Sequence, residues 1–215
     1  MQEITNEQFS QEVKIFEGLC NKAQTDLDAY VKGTSDLQLK EKLSKRFNDF
    51  EKLVNFVVNE TKFISAPAST KYHLCIPHGL LIHSNSVTKV AIKLNNALNC
   101  EIPLYKLITT AMFHDLGKHD NYIVNEPTEK QKQYGYKANP PYLFNTTNDY
   151  NEHESKSLYI ISKYLDLDED EWTAILYHNS PYDGVTKPAF NKNKLMTLLQ
   201  YSDYYSCLYL EDRPN

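Results

Sequence analysis

The chain has 215 residues, 41% of them hydrophobic, with nine prolines and only six glycines. That is enough apolar material for one core carrying a helical appendage, and so few breakers favour a mainly helical protein over a glycine-rich α/β one. The net charge of −5 argues against a broad electrostatic grip on long nucleic acid, which needs a basic surface, although a local basic groove stays open.

In chain order, Phe9, Val13, Phe16, Ala23, Leu27 and Tyr30 recur at steps of three, four and seven, the apolar face of a helix from about Asn6 to Tyr30. Gly33-Thr34-Ser35 interrupts it, and Leu39, Leu43, Phe47, Val54 and Val58 restart the pattern. Residues 1–62 therefore read as an N-terminal helical hairpin packed on residues 63–215, or on a second copy in a homo-oligomer. Phe63 to Ser69 is a connection closed to helix by Pro67. A helix from about Pro77 to Leu98 turns Leu80, Val87, Val90, Ala91 and Leu94 inward, and His83, four residues before Val87, shares that face.

Pro103 suits a first helical position, and Leu104, Leu107, Ile108 and Ala111 mark a buried stripe leading to His114 and Asp115, with Gly117 as the helix stop. From His119 to Asp149, Asn139, Pro140, Pro141, Asn145 and Asn148 break any period among several aromatics. This long polar connection reads as a flap over a site, with a plain surface loop as the alternative. Asp149 or Asn151 caps a helix bearing His153, Ser157, Ile160, Ile161 and Tyr164. Asp168 and Glu171 form a capping box for another that carries Trp172 and Ile175 inward toward His178. Lys194 to Leu210 supplies a last stripe of Met196, Leu199, Asp203 and Cys207. The fold class expected is all-α.

Four histidines and two aspartates, His83, His114, Asp115, His153, His178 and Asp203, thus fall on inward stripes or at their ends. Burying such groups unpaired costs several kcal/mol, and a shared cation would use the imidazole lone pairs while neutralising the carboxylates. This ligand mix suits a hard-to-borderline divalent ion, one or two of Mn, Fe, Ni, Co, Mg or Zn, rather than a thiolate zinc site. Cys20, Cys75, Cys100 and Cys207 contain no Cys-x-x-Cys pair, as expected of reduced thiols in a cytoplasm. The first residues lack a signal-peptide layout, and no apolar run approaches the roughly 20 residues of a membrane span, so no membrane partner is expected.

The order His83, His114-Asp115 within Phe113-His114-Asp115-Leu116-Gly117-Lys118, then His153, His178 and Asp203, resembles the HD superfamily of metal-dependent phosphohydrolases. The stretch Ala66-Pro67-Ala68-Ser69 through His73 to His78-Gly79-Leu80-Leu81-Ile82-His83-Ser84 is similar to the opening of the HD domain in YhaM-type 3′-to-5′ exoribonucleases. The likeness covers roughly residues 60 to 210. It implies an HD-domain helical bundle in which His83, His114, Asp115 and Asp203 form a core metal site. His153 and His178 would complete a second, with Asp115 bridging. Those nucleases carry an OB-fold ahead of the HD domain where this chain has its helical segment, and often Gly-Gly where it has His78-Gly79.

The resemblance implies hydrolysis of a phosphoester in a nucleotide or short phosphodiester by a metal-bound hydroxide, the acidic balance favouring a small phosphorylated substrate. A 3′-to-5′ exoribonuclease-like nuclease and a non-catalytic nucleotide-binding sensor are the alternatives. Asp115 and Lys118 are the catalytic candidates, Lys118 placing an ammonium against a phosphate oxygen or, alternatively, answering a helix dipole. His73 and His78 are candidates for substrate contact or for ordinary loop histidines; Tyr134, Tyr136 and Tyr182 are candidates for stacking on a base. With a single ion, His153 and His178 would instead touch the substrate phosphate.

Overall fold

The computed structural model describes residues 4–147, 152–179 and 193–211. Helix α1 (Asn6–Gly33) opens on a capping box in which Thr5 Oγ1 accepts from the Gln8 amide and the Gln8 side chain accepts from the Thr5 amide. Helix α2 (Leu37–Glu60) is capped by the Asp36 carboxylate, which accepts from the amides of Gln38 and Leu39. The pair is joined to the rest by aromatic packing. The ring of Phe113 lies 6.5 Å from Phe16 of α1, 6.3 Å from Phe50 of α2 and 6.1 Å from Phe63, centroid to centroid. All four are buried, and each contributes about 1.5–3 kcal/mol of apolar transfer energy. The hairpin therefore shares a core with the remainder of the chain. Tyr30, Leu39 and Val58, expected on the inward stripes, are instead 43–44% exposed, because the faces rotate off the core near the helix ends.

Helix α3 (Gly79–Ala97) begins after His78, which holds a left-handed conformation at φ 67°. That conformation costs a side-chain-bearing residue about 1–2 kcal/mol and a glycine almost nothing. Here the histidine ring is held by donation from Nδ1 to the Ile64 carbonyl at 2.8 Å and by contact with Phe9 at 4.0 Å. Helix α4 (Leu104–Phe113) is buried from Tyr105 onward except for Lys106, and is walled on two sides. One wall is the Phe16–Phe63–Phe113 cluster; the other gathers Val87, Ala174, Leu195, Met196 and Leu199. A helix apolar all round belongs in the centre of a bundle, so its C-terminal end, His114-Asp115, is delivered to the interior.

The chain then enters a 3₁₀ turn, Leu116–Asp120. Gly117 is not the left-handed helix stop expected of it. It lies within this turn, where a Cβ would stand 2.3 Å from the His153 carbonyl oxygen and 2.9 Å from the Ser157 nitrogen. Its amide donates to Ser157 Oγ at 2.8 Å, so the glycine lets helix α6 (His153–Ser162) approach the turn closely. Gly117→Ala is expected to lose about 1–3 kcal/mol, as overpacking does, and to displace His153. Denaturant midpoints and bound metal would check this, and wild-type values for both would show the approach to be looser than drawn.

Between turn and α6 the connection is not irregular throughout. Strands β1 (Tyr122–Val124) and β2 (Tyr142–Phe144) pair antiparallel with Tyr122 opposite Phe144, and a short helix α5 (Glu129–Gln133) lies between them. The expected caps Asp149 and Asn151 lie outside the described residues. Helix α7 (Glu169–Leu176) has the predicted Asp168–Glu171 capping box, but Trp172 is 43% exposed while Ile175 is buried. Helix α8 (Lys194–Tyr205) runs on into a π-helical turn, Ser206–Leu210. The described residues thus form an all-α bundle of eight α-helices with one small hairpin, and none of these helices is long and apolar enough to cross a membrane.

Candidate metal centre

Asp115 is the hub. Its Oδ2 lies 3.4 Å from His83 Nε2 and 3.5 Å from His114 Nε2; its Oδ1 lies 3.1 Å from His153 Nε2 and 3.5 Å from His178 Nε2. Asp203 Oδ1 stands 3.3 Å from the same His83 Nε2. The donor atoms of His83, His114 and Asp203 lie within 4.8 Å of one another, as do those of His114, Asp115 and His178, and those of His153, Glu154 and His178. These buried groups could hold a metal ion. Five elements supply them: α3, the end of α4, the start of α6, the residues after α7, and α8.

The outward-facing ring nitrogens tell which lone pairs are presented. His114 Nδ1 donates to the Ala111 carbonyl at 2.8 Å and His178 Nδ1 to the Ile175 carbonyl at 2.7 Å. His83 Nδ1 donates to Glu211 Oε1 at 3.0 Å. In each ring Nε2 is left facing Asp115, and this is how metal-ligating histidines are oriented, by a carbonyl or carboxylate behind them. Of the buried polar atoms without a hydrogen-bond partner among the described residues, two lie in this centre: His114 Nε2 and Asp115 Oδ1. Buried polar atoms are nearly always satisfied, and a shared cation satisfies both at once. The donor set fits a divalent ion.

The charge states agree. Burial lowers His114 to about 3 against the upward pull of Asp115 and Asp203, so its lone pair is available at neutral pH. Burial and Lys118 likewise lower His153. Although burial opposes it, Glu211, Asp115 and Asp203 hold His83 well above its ordinary value, and Asp115 and Asp203 raise His178. Burial works against both carboxylates too, yet Lys118 and the histidines keep Asp115 well below the usual range, and His83 does the same for Asp203. Where His83 and His178 carry protons, these and the Lys118 ammonium oppose three carboxylates, Asp115, Asp203 and Glu211. A metal would displace such protons, as ligand deprotonation requires.

Lys118 Nζ sits 2.7 Å from Asp115 Oδ2, and burial notwithstanding, that carboxylate raises its pKa. His73 joins the site's edge, its ring 5.1 Å from that of His83. His78 does not: it stands at the N-cap position of α3 with its ring bonded to the Ile64 carbonyl. Tyr134 and Tyr136 are largely exposed, stack on each other at 6.3 Å, and do not line the cleft that opens onto the centre. Tyr182 lies outside the described residues. That cleft, about 1060 Å³, is bounded instead by Tyr72, Tyr122, Phe144 and Tyr204, together with His73, Lys118, His153 and Asp203. Phe144 and Tyr122 place the base of the β1–β2 hairpin at its rim, while the Tyr134–Tyr136 end of the connection points elsewhere.

Sequence reasoning missed Glu211, Glu154 and Asn179. Asn179 Nδ2 donates to Glu154 Oε1 at 2.7 Å and lies 3.0 Å from His153 Nε2. Glu211 carried a readable signal, since Asp203, Cys207 and Glu211 continue one stripe at steps of four. No family model matches the chain, and no curated protein or solved structure matches it either.

Proposed function

We propose that this chain is a metal-dependent phosphohydrolase of the HD type, cleaving a phosphoester of a nucleotide or short phosphodiester. The observation that carries the proposal is the gathering around buried Asp115 of four histidines, three of them oriented through Nδ1, with Asp203 against His83 and a lysine beside the aspartate. A divalent ion bound there supplies Lewis acidity toward a phosphate oxygen and lowers the pKa of a water. The chain's own residues do the rest. Asp115 presents one oxygen to the His83–His114 side and the other to the His153–His178 side, which suits it to hold ions on both. Lys118 neutralises Asp115 and lines the cleft, so its ammonium is placed to meet charge developing on a non-bridging oxygen. Tyr72 and Phe144, 63% and 66% exposed at the rim, offer ring faces to a base. A cleft of about 1060 Å³ accommodates a nucleotide.

The direct experiment supplies Mn, Fe, Ni, Co, Mg and Zn in turn and screens phosphorylated metabolites and short oligonucleotides for turnover. Hydrolysis that chelators stop is expected; a metal-loaded protein inert toward every phosphoester would reject the proposal. Ion number is read from His153→Ala. With ions on both sides of Asp115, this change is expected to halve the bound metal and nearly end turnover. Unchanged metal content with weakened substrate binding would instead assign His153 to the phosphate beside a single ion.

A further inference from the structure

On the Nδ1 side of the His83 ring a second group of ligand-type side chains meets, from parts of the chain remote in sequence. His73 Nε2 lies 3.5 Å from Cys207 Sγ and 3.7 Å from Glu211 Oε2, the latter too long for a hydrogen bond. His83 Nδ1 lies 3.0 Å from Glu211 Oε1 and 3.2 Å from Oε2, and Oε2 also faces His73. The donor atoms of His73, His83, Cys207 and Glu211 all lie within 4.8 Å of one another. Bonds of roughly 2.0–2.1 Å to nitrogen and oxygen and 2.3 Å to sulfur, at tetrahedral angles, set N and S about 3.6 Å and N and O about 3.4 Å apart. The observed 3.5 and 3.7 Å separations are close to those edges. The Glu211 side chain is only 1% exposed, and besides the His83 N–H a cation on its His73 side would offset the cost of burying its charge.

We propose that His73, Cys207 and Glu211 form a second, thiolate-containing metal site of the zinc type, separate from the His/Asp centre and coupled to it through the Glu211–His83 hydrogen bond. Thiolate with imidazole and carboxylate selects a borderline-soft ion, whereas the centre around Asp115 offers nitrogen and oxygen alone. His73 and Cys207 line the cleft, so the fourth position of a tetrahedral ion would face solvent or substrate. The site does not depend on the phosphohydrolase reading. The competing roles for Cys207 are thiol hydrogen bonds to His73 Nε2 at 3.5 Å or to Asp203 Oδ1 at 3.4 Å, and the test separates these from ligation.

The whole protein is stripped with chelator and titrated with cobalt, following the thiolate-to-cobalt charge-transfer band in the near ultraviolet and the metal bound per chain. Wild type is expected to show the band. Cys207→Ser, close in size to the native residue, is expected to lose it together with one equivalent of cobalt. Asp115→Asn is expected to keep it while losing the metal of the other centre. Should Cys207→Ser fail to fold, alkylation of wild type mapped by mass spectrometry replaces it: zinc is expected to slow modification of Cys207 at least ten-fold. Absence of the band from cobalt-saturated wild type, its survival in Cys207→Ser, or unprotected Cys207 would each overturn the site. Loss of the band in Asp115→Asn would overturn its separateness, placing the thiolate on the ion of the His/Asp centre. A band without phosphoester turnover would support this site and count only against the proposed reaction.

Discussion

Asp115→Asn is expected to empty the His/Asp centre of metal and to end phosphoester hydrolysis. The carboxylate is 1% exposed and has a histidine Nε2 within 3.5 Å on both of its oxygens, so it is shared between two pairs of imidazoles. An amide keeps the shape but brings no charge and turns an N–H₂ toward one set of imidazoles. Losing an outer partner of a ligand costs roughly 10- to 100-fold in metal affinity, and losing the shared ligand itself should exceed that. The same change strands the Lys118 ammonium, whose Nζ lies 2.7 Å from Asp115 Oδ2, and an uncompensated buried charge costs about 3–5 kcal/mol. Stability loss and metal loss must therefore be separated. Adding Lys118→Met to Asp115→Asn should restore much of the melting temperature while restoring neither metal nor turnover. If Asp115→Asn held wild-type metal and turned over substrate at the wild-type rate, the site would be misassigned.

A comparably large effect on stability is expected at a distance from this centre, in Arg46→Met. Arg46 of α2 reaches across to α7, where Nη1 donates to Glu171 Oε2 at 3.1 Å and to the Asp166 carbonyl at 3.0 Å, and Nη2 donates to Glu171 Oε1. Glu171 is fully buried, and burial pushes its carboxyl up while Arg46 works against that rise. Removing the guanidinium leaves the carboxylate with only the Asp168 backbone amide in the capping box. Breaking such a pair from one side costs about 3–5 kcal/mol, or roughly 6–20 °C in melting temperature for a chain of this size. The pair itself is worth less than its breakage, because an apolar replacement of both partners avoids the desolvation cost. Arg46→Met with Glu171→Leu should therefore recover most of the loss. A single mutant within about 1 kcal/mol of wild type would show that water or another donor reaches Glu171.

Both sites mark where local reading stops. The Asp168–Glu171 capping box was legible because its donors and acceptors lie within one turn. The helix spans, the inward phase of His83 and Asp203, and the burial of α4 were legible because apolar spacing records which face leaves water. The same spacing does not say what that face meets. Glu171 satisfied its capping role on paper, and nothing near it in sequence announces Arg46, 125 residues away. Trp172 and Ile175 share an approximate stripe, yet only Ile175 is buried, because a short helix at the bundle's edge covers less than its apolar arc.

Gly117 reads locally as a helix stop, and only the arrival of α6 with the His153 carbonyl makes it a requirement of packing. Tyr134 and Tyr136 were plausible stacking partners by composition, but the hairpin register sets Tyr122 and Phe144 at the cleft and turns the other two away. The ligand types, their order along the chain and their inward phase were thus present in the linear pattern, because each depends on a residue and its own helix. The meeting of His73, Cys207 and Glu211, the shared use of Asp115 and the Arg46–Glu171 tie came only from tertiary structure, since each is a distance between elements that helical periodicity leaves undetermined.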